Sequence, residues 1–358
     1  MQNKKLKDKA EKVYALAKEK IISAVKFCRN IKWKELGKHL MNNPFEKILD
    51  FLTSWWHAII IFLAVLIFVY YPIGGLLVSN IDRNTTYEVK NEHPEQSATV
   101  EMMSFIVDRE VNEKIWTPNL PFFFPSYFLD NMPNFQLGMF EALSDTAVSF
   151  SKRIDKKIKV GQRQYLQEAA ELLKYPGTVW MFSPDNKLMP APSANNQYRR
   201  ARKRLIKFNQ RLSEGTDVFY KNPHDLAFFL VKIRRDLGIS LKTLQTHVRE
   251  NSSDWLDFKA DNIFYYNQGK LYGYYLLLKA MGADYKDIIV NTGQYQNWTK
   301  LLNALEGGVS IDPMIVRNGE LSSSTAPNHL SYLSFYTIKA QHLVSKISRN
   351  LEYNPQKR

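Results

Sequence analysis

Between Trp56 and Val78 the chain runs for 23 residues, WHAIIIFLAVLIFVYYPIGGLLV, without one Asp, Glu, Lys or Arg. At 1.5 Å of rise per residue a helix of that length reaches roughly 34 Å, enough to cross a hydrocarbon core of about 30 Å with some tilt. A transmembrane helix over 56–78 is therefore expected, in place of a buried core helix. Aromatic residues stand at both edges, Trp55 and Trp56 with His57 at one and Tyr70 and Tyr71 at the other, where amphipathic rings favour headgroup level. Pro72, Gly74 and Gly75 are expected to kink or fray the last turns.

Composition limits the rest of the chain. With 358 residues, 23% charged, 45% hydrophobic and a mean hydropathy of -0.35, the protein can bury a core but cannot be a polytopic transporter. The single cysteine, Cys28, excludes a disulfide framework and sites built on several thiolates. About fifty residues precede the apolar run, which is too long for a signal peptide and is followed by no small-residue cleavage site. An uncleaved anchor is the expectation.

Charge on the two flanks sets the orientation. In residues 1–50 thirteen Lys and Arg face six Asp and Glu, a net charge of +7, whereas residues 81–95 hold only Arg83 and Lys90 against four acids. That bias predicts a cytoplasmic N-terminus and a C-terminal domain across the membrane, in the periplasm of a Gram-negative cell, with Cys28 on the reducing side. The expected domains are a basic cytoplasmic arm over 1–50, the transmembrane helix over 56–78, a polar linker over 80–97 and a mainly helical periplasmic domain over 98–358.

In the arm, Leu6, Ala10, Val13, Ala17, Ile21, Ala24, Cys28 and Ile31 recur at spacings of three and four with lysines on the other face, the pattern of an amphipathic helix. Lying on the anionic inner leaflet is the preferred reading; a short coiled coil joining two copies is the alternative.

Beyond the linker the periodicity is helical. It suggests helices in a first stretch around Val100 to Val107, a second around Phe135 to Thr146, and then near 162–174, 195–212, 223–237, 241–247, 267–281, 285–305 and 328–351. Asn222, Pro223 and Asp225 form a helix start, and Gly238 reads as its stop. Short extended pieces are suggested at 86–90 and 178–182. The fold class is mainly α, with few or no short strands.

The segment from Trp116 to Gly138, WTPNLPFFFPSYFLDNMPNFQLG, carries four prolines and six Phe or Tyr, which excludes a single helix. It reads either as a packed connection over the core or as a binding lip in which Trp116, Phe122, Phe123, Phe124 and Tyr127 face a partner, a glycan or the membrane, with Asp130 and Asn131 as candidate ligand-binding residues or plain turn residues. This string and ADNIFYYNQGKLYGYYLLLKAMGADY (260–285) resemble a proteobacterial family of single-span inner-membrane proteins catalogued as a domain of unknown function. The motif is W-x-x-N-x-P-x-F-x-P leading into LDNMPxFQ, with F-Y-x-x-x-G later. Trp116, Asn119, Pro121, Phe123, Pro125, 129–133, Phe135 and Gln136 carry the first part; Phe264, Tyr265 and Gly269 carry the second. The resemblance implies bacterial origin and inner-membrane residence, and no activity, cofactor or catalytic residue.

No nucleophile elbow, P-loop, dinucleotide fingerprint, HExxH or paired cysteine occurs. The histidines after the span, at 93, 224, 247, 329 and 342, lack ligand spacing, so no metal or cofactor is expected. The one weak catalytic candidate is Glu306, with Asp312 six residues on, in the manner of a glycan-cleaving general acid; Gly307 and Gly308 after it also read as a helix stop.

A last cluster sets seven cations in thirteen residues without an acid, Arg199, Arg200, Arg202, Lys203, Arg204, Lys207 and Arg211. Five of them, Arg200, Lys203, Arg204, Lys207 and Arg211, share a helical face. Across a membrane, nucleic acid is excluded as the partner, leaving anionic headgroups, envelope polymer phosphates or an acidic protein, or else a solvated face paired with nearby acids. The combined expectation is a noncatalytic, membrane-anchored interaction or scaffold protein of the cell envelope. Its expected partners are the bilayer through 56–78, anionic lipid at the arm and an unidentified envelope protein or anionic polymer, with a second copy of the chain as a further partner. A peptidoglycan-acting enzyme and a single-span ligand sensor are the alternatives.

Overall fold

The computed structural model describes residues 44–78, 80–89, 91–154, 164–181, 190–251, 257, 259–320 and 327–352. The basic arm therefore lies outside the described residues, apart from its end at Pro44. The described residues form ten α-helices: α1 Pro44–Val78, α2 Ala98–Asp108, α3 Asn131–Ile154, α4 Gln164–Leu173, α5 Ala194–Ser213, α6 Pro223–Asn251, α7 Ala260–Asp284, α8 Lys286–Asn291, α9 Tyr295–Val309 and α10 His329–Glu352. Two compact units are present, up to Val69 and from Tyr70 onward.

Within α1, Ser54–Gly75 is long and apolar enough to cross a membrane, and only 6% of it is buried. Ile60, Phe62, Leu66 and Phe68 point outward, so this is not a core helix. Among the described residues nothing covers this apolar surface, a condition that a lipid environment satisfies.

The second unit is built around α7, whose residues are buried on nearly every side, polar Asn267, Gln268 and Lys270 among them. α2, α3, α6, α9 and α10 all pack on it, α6 pairs with α10, and α4 with α5. The closest approach is between α3 and α7, where Gly138 and Gly269 set backbone against backbone: a methyl group on Gly269 would lie 2.7 Å from the Phe135 carbonyl carbon. Asp284, at the end of α7, holds the start of α2 by accepting the N–H groups of Ala98 and Thr99 at 2.9 Å each and the hydroxyls of Ser97 and Thr99. A carboxylate there satisfies orphan donors and complements the helix dipole.

Several local expectations change. The α6 start is as the sequence suggests, Asn222 Oδ1 accepting the Asp225 N–H at 2.9 Å, but α6 runs on through Gly238 to Asn251. That glycine is not a stop: a methyl group there would meet the Gln341 side-chain nitrogen at 2.7 Å, so it admits α10. Gly307 and Gly308 likewise lie inside α9 and admit Tyr336 and Leu271. The single helix expected near 285–305 is two, divided where Gly293 takes a φ of 67°. Neither expected extended piece is a strand over its described residues; strand-type pairing among the described residues is limited to isolated bridges, such as Asn318 with Asn328.

The segment 80–89 is a strap and not a loose connection. Arg83 pairs with Asp312 at 2.6 Å, Thr85 donates to Glu306 at 2.6 Å, Lys279 bonds the Thr85 carbonyl at 3.2 Å and Tyr272 donates to the Asn84 carbonyl at 2.8 Å. Beneath it Arg109 is buried, its guanidinium bonded to Glu110 at 2.7 Å and Tyr272 at 2.7 Å and facing the rings of Tyr87 and Phe105. Arg109 opens a π-helical turn, Arg109–Glu113, that follows α2.

One titration should be visible in stability. His329 Nδ1 accepts the Arg317 N–H at 2.9 Å beside the isolated bridge. Burial, aided by the Arg317 charge, holds the imidazole below its ordinary 6.5. The folded state thus prefers the neutral ring. Its contribution is complete above about pH 6.5 and is lost as pH falls through the lowered folded value. Thermal unfolding is expected to show a smaller drop in Tm between about pH 7.5 and about pH 5.5 for His329→Gln than for the natural chain; equal drops would exclude this group.

Candidate membrane interface

The Trp116 to Gly138 segment divides in two. Trp116 is fully buried, donates its indole N–H to the Gly177 carbonyl at 2.8 Å and packs on Phe140 and Tyr198 at 4.3 and 5.1 Å between ring centres. It is core, and the expectation that it faces a partner is corrected: a ring enclosed on both faces with its only polar atom satisfied has nothing left to offer. Asn119 bonds the Val179 carbonyl and Asn195, and Gln136 takes the Thr117 N–H, so these too hold the segment down. Asp130 is exposed, and its carbonyl accepts the Asn134 N–H as α3 begins at Asn131; both act as helix-start residues. Burial first, and then the Asp130 carboxylate, push the nearby Asp261 carboxyl above the ordinary range.

The second half turns outward. Phe122 is 68% exposed, Phe123 48%, Tyr127 52% and Phe128 69%, around the short 3-10 turn Pro125–Phe128. Met181, also exposed, lies two residues from Val179, and Trp180 meets the Phe123 ring edge-on at 6.3 Å. Singly exposed apolar residues are ordinary, but a contiguous group this aromatic marks a contact surface.

Its position is fixed by the end of α1. Tyr70 and Tyr71 donate their hydroxyls to the carbonyls of Phe123 and Phe122, each at 3.0 Å, and Tyr71 packs edge-on against Phe128 at 5.0 Å. Gly74 and Gly75 do not break the helix; they let Pro125 and Leu129 close on it, since a methyl group at either would come within 3.0 Å of one of those side chains. The exposed rings are therefore held beside the last turns of the apolar stretch. Moving one such ring from water into an apolar layer contributes roughly 1.5 to 3 kcal/mol. Phe128, the most exposed of the set, was not singled out in the sequence, although it continues the Tyr127 run.

The profile of DUF2333, an uncharacterized protein conserved in bacteria, matches residues 54–254. The chain belongs to this family. No curated protein and no solved structure matches it. The stretch shared with DUF2333 takes in the apolar helix, the strap, the aromatic turn and α2 to α6.

Three of the seven cations on α5 are answered by acids from elsewhere in this DUF2333 chain. Arg202 pairs with Asp108 at 2.7 Å, Arg204 with Glu168 at 2.7 Å and Arg211 with Asp217 at 2.9 Å, while Arg199 bonds Asn112 and the Val111 carbonyl. Arg200, Lys203 and Lys207 have no ion pair among the described residues. Glu306 and Asp312, the weak catalytic candidates, are both engaged by the strap, with Thr85 and Arg83. A glycan-cleaving pair needs two carboxyl groups flanking the scissile bond, and both of these carboxylates are held by strap side chains.

Proposed function

We propose that this is a single-span protein of the bacterial inner membrane, with a cytoplasmic N-terminus and a periplasmic helical domain, acting without catalysis as an interaction or scaffold module kept against the bilayer surface. The observation that carries this reading is the aromatic group Phe122, Phe123, Tyr127 and Phe128 fastened by Tyr70 and Tyr71 to the end of the apolar helix. Where that helix leaves the hydrocarbon, these rings meet the headgroup region, which favours amphipathic and aromatic side chains. Seating the domain there restricts its approach to partners at the membrane surface. The flank charges support the orientation.

The test uses the full chain in nanodiscs. With Cys28 replaced by Ser, cysteines introduced as Phe128→Cys and, as a control, Gly215→Cys carry an environment-sensitive fluorophore. The label at 128 is expected to shift to the blue and to be quenched by brominated lipid, and the label at 215 to do neither. Equal behaviour at the two positions would reject the membrane foot. A reporter joined to Arg358 that works only in the cytoplasm would reject the orientation while leaving the foot intact.

A further inference from the structure

The sequence points to α5 for cations; the fold collects them elsewhere. On α6, Lys232, Arg234, Arg235 and Lys242 are exposed, and on α10 so are Lys339, Lys346 and Arg349. The two runs lie about a hundred residues apart and meet only because α6 and α10 pack together. Among the described residues none of Lys232, Arg234, Arg235, Lys242, Lys339 and Lys346 has an ion pair, in contrast to Arg202, Arg204 and Arg211 on α5. The acid between them, Asp236, points inward to Lys270 at 3.0 Å and Tyr274 at 2.8 Å. It supplies no counter-charge to the outer face.

Three of these cations, Lys232, Arg234 and Arg235, line a cleft of about 360 Å³ between the two helices, together with Val231 and Gln341. Gly238 shapes one wall: because it has no side chain, Gln341 lies across α6 with an N–H on the Arg234 carbonyl at 3.3 Å. The lining offers donors from two guanidinium groups, an ammonium and an amide, and no carboxylate. Guanidinium forks match phosphate oxygens two at a time, and the ammonium acts as a point charge beside them. Three charges side by side exceed what one phosphate needs, and the volume exceeds what one phosphate fills.

We infer that the α6–α10 cleft is a binding site for a ligand bearing consecutive phosphate groups, a diphosphate or longer. Lys232 and Arg235, one helical turn apart, hold neighbouring phosphates, and Arg234 with Gln341 closes the other side. The ligand is either a soluble oligophosphate or the diphosphate headgroup of a lipid. This site does not depend on the membrane foot or on which side of the membrane the domain occupies, because it stands on the α6–α10 pair alone.

The full chain in nanodiscs of zwitterionic lipid is titrated calorimetrically with inorganic pyrophosphate and tripolyphosphate, with citrate as a carboxylate of comparable charge. Both phosphates are expected to bind, more tightly than citrate and less so as salt rises. Lys232→Gln/Arg234→Gln/Arg235→Gln should weaken them about tenfold or more, and Arg235→Gln alone by several-fold. The matched triple Arg200→Gln/Lys203→Gln/Lys207→Gln on α5 should leave binding unchanged. Equal weakening by the two triples, or citrate binding as tightly as tripolyphosphate, would overturn the site, and the single variant decides if the α6 triple fails to fold. Discs that also contain a polyprenyl diphosphate identify the source: loss of tripolyphosphate binding in them assigns the site to the lipid headgroup, and retention assigns it to the soluble anion.

Discussion

Gly269→Ala is expected to destabilise the domain by about 3 kcal/mol or more, at the upper end of what overpacking a core costs. The added methyl group would stand 2.7 Å from the carbonyl carbon of Phe135 and 2.9 Å from its Cα, and closer still to its carbonyl oxygen. These are backbone atoms of α3, so no rotamer change relieves the contact and the two helices must part. The reciprocal position behaves alike, since a methyl on Gly138 would sit 2.8 Å from the Tyr266 carbonyl carbon. Alanine is ordinarily the better helix former by about 1 kcal/mol, so propensity works against the predicted loss and cannot be its cause. Because Gly138 and Gly269 guard one seam, the double variant should cost less than the two single losses added together. Gly215, at a φ of 69° with open space around it, is the control: alanine there costs only the left-handed backbone strain, about 1 to 2 kcal/mol. Thermal unfolding of the purified protein decides the matter, and a Tm for Gly269→Ala equal to that of the natural chain would show that the seam is looser than its geometry.

Phe135, Gln136 and Gly269 belong to the motif strings that single out this sequence, and their surroundings say why. Phe135 offers the carbonyl that Gly269 accommodates, Gln136 receives the Thr117 N–H, and Trp116 and Asn119 pin the start of the aromatic segment. Most of the motif therefore maintains the α3–α7 seam and the turn beside it. Phe123 differs: it is half exposed, and its carbonyl is what Tyr70 grips. A motif residue with little role inside the fold is the kind whose role lies outside it.

What could be read from the chain alone follows from the range over which each signal acts. The apolar helix and the Asn222 cap are decided within a few residues, and both are visible in the letters. Gly238, Gly307 and Gly308 looked like helix stops because glycine ends helices by its own backbone freedom, whereas here Gln341 and Tyr336 from α10 and Leu271 from α7 determine their use. Arg202 and Arg204 looked unanswered because Asp108 and Glu168 arrive from other helices, while the partner of Arg211, Asp217, stands six residues on, just past the end of α5. Composition likewise could not divide the aromatic segment, since Trp116 and Phe122 differ only in whether Phe140, Tyr198 and Gly177 are there to enclose the ring. The open cations of α6 were invisible for the converse reason: nothing in a local window shows that Asp236 turns inward.

Arg109→Met should be nearly as damaging as the glycine change, and it tests the strap as well as the core. The guanidinium is almost wholly buried, as is its partner Glu110, and burial alone would favour loss of the charge; the Glu110 carboxylate and the Tyr272 phenol beside it hold it protonated. Removing one member of such a pair leaves the other buried with reduced compensation, a loss of roughly 3 to 5 kcal/mol. In a domain of this size that corresponds to a Tm lower by roughly 10 °C. Lys114, 3.8 Å from the Glu110 carboxylate, softens the loss without replacing the bond. The double variant Arg109→Met/Glu110→Gln should recover part of it, because replacing both charges costs far less than orphaning one. A double variant no more stable than the single one would mean that shape, and not charge, governs the site. Arg109 also faces Tyr87 and lies 3.9 Å from Asp82, both on the strap between the apolar helix and the bundle. Hydrogen exchange over residues 81–89 should therefore accelerate in Arg109→Met under conditions where α7 stays protected. If exchange there is unchanged while stability falls, Arg109 supports the core alone and the strap is held by Arg83, Thr85 and Lys279.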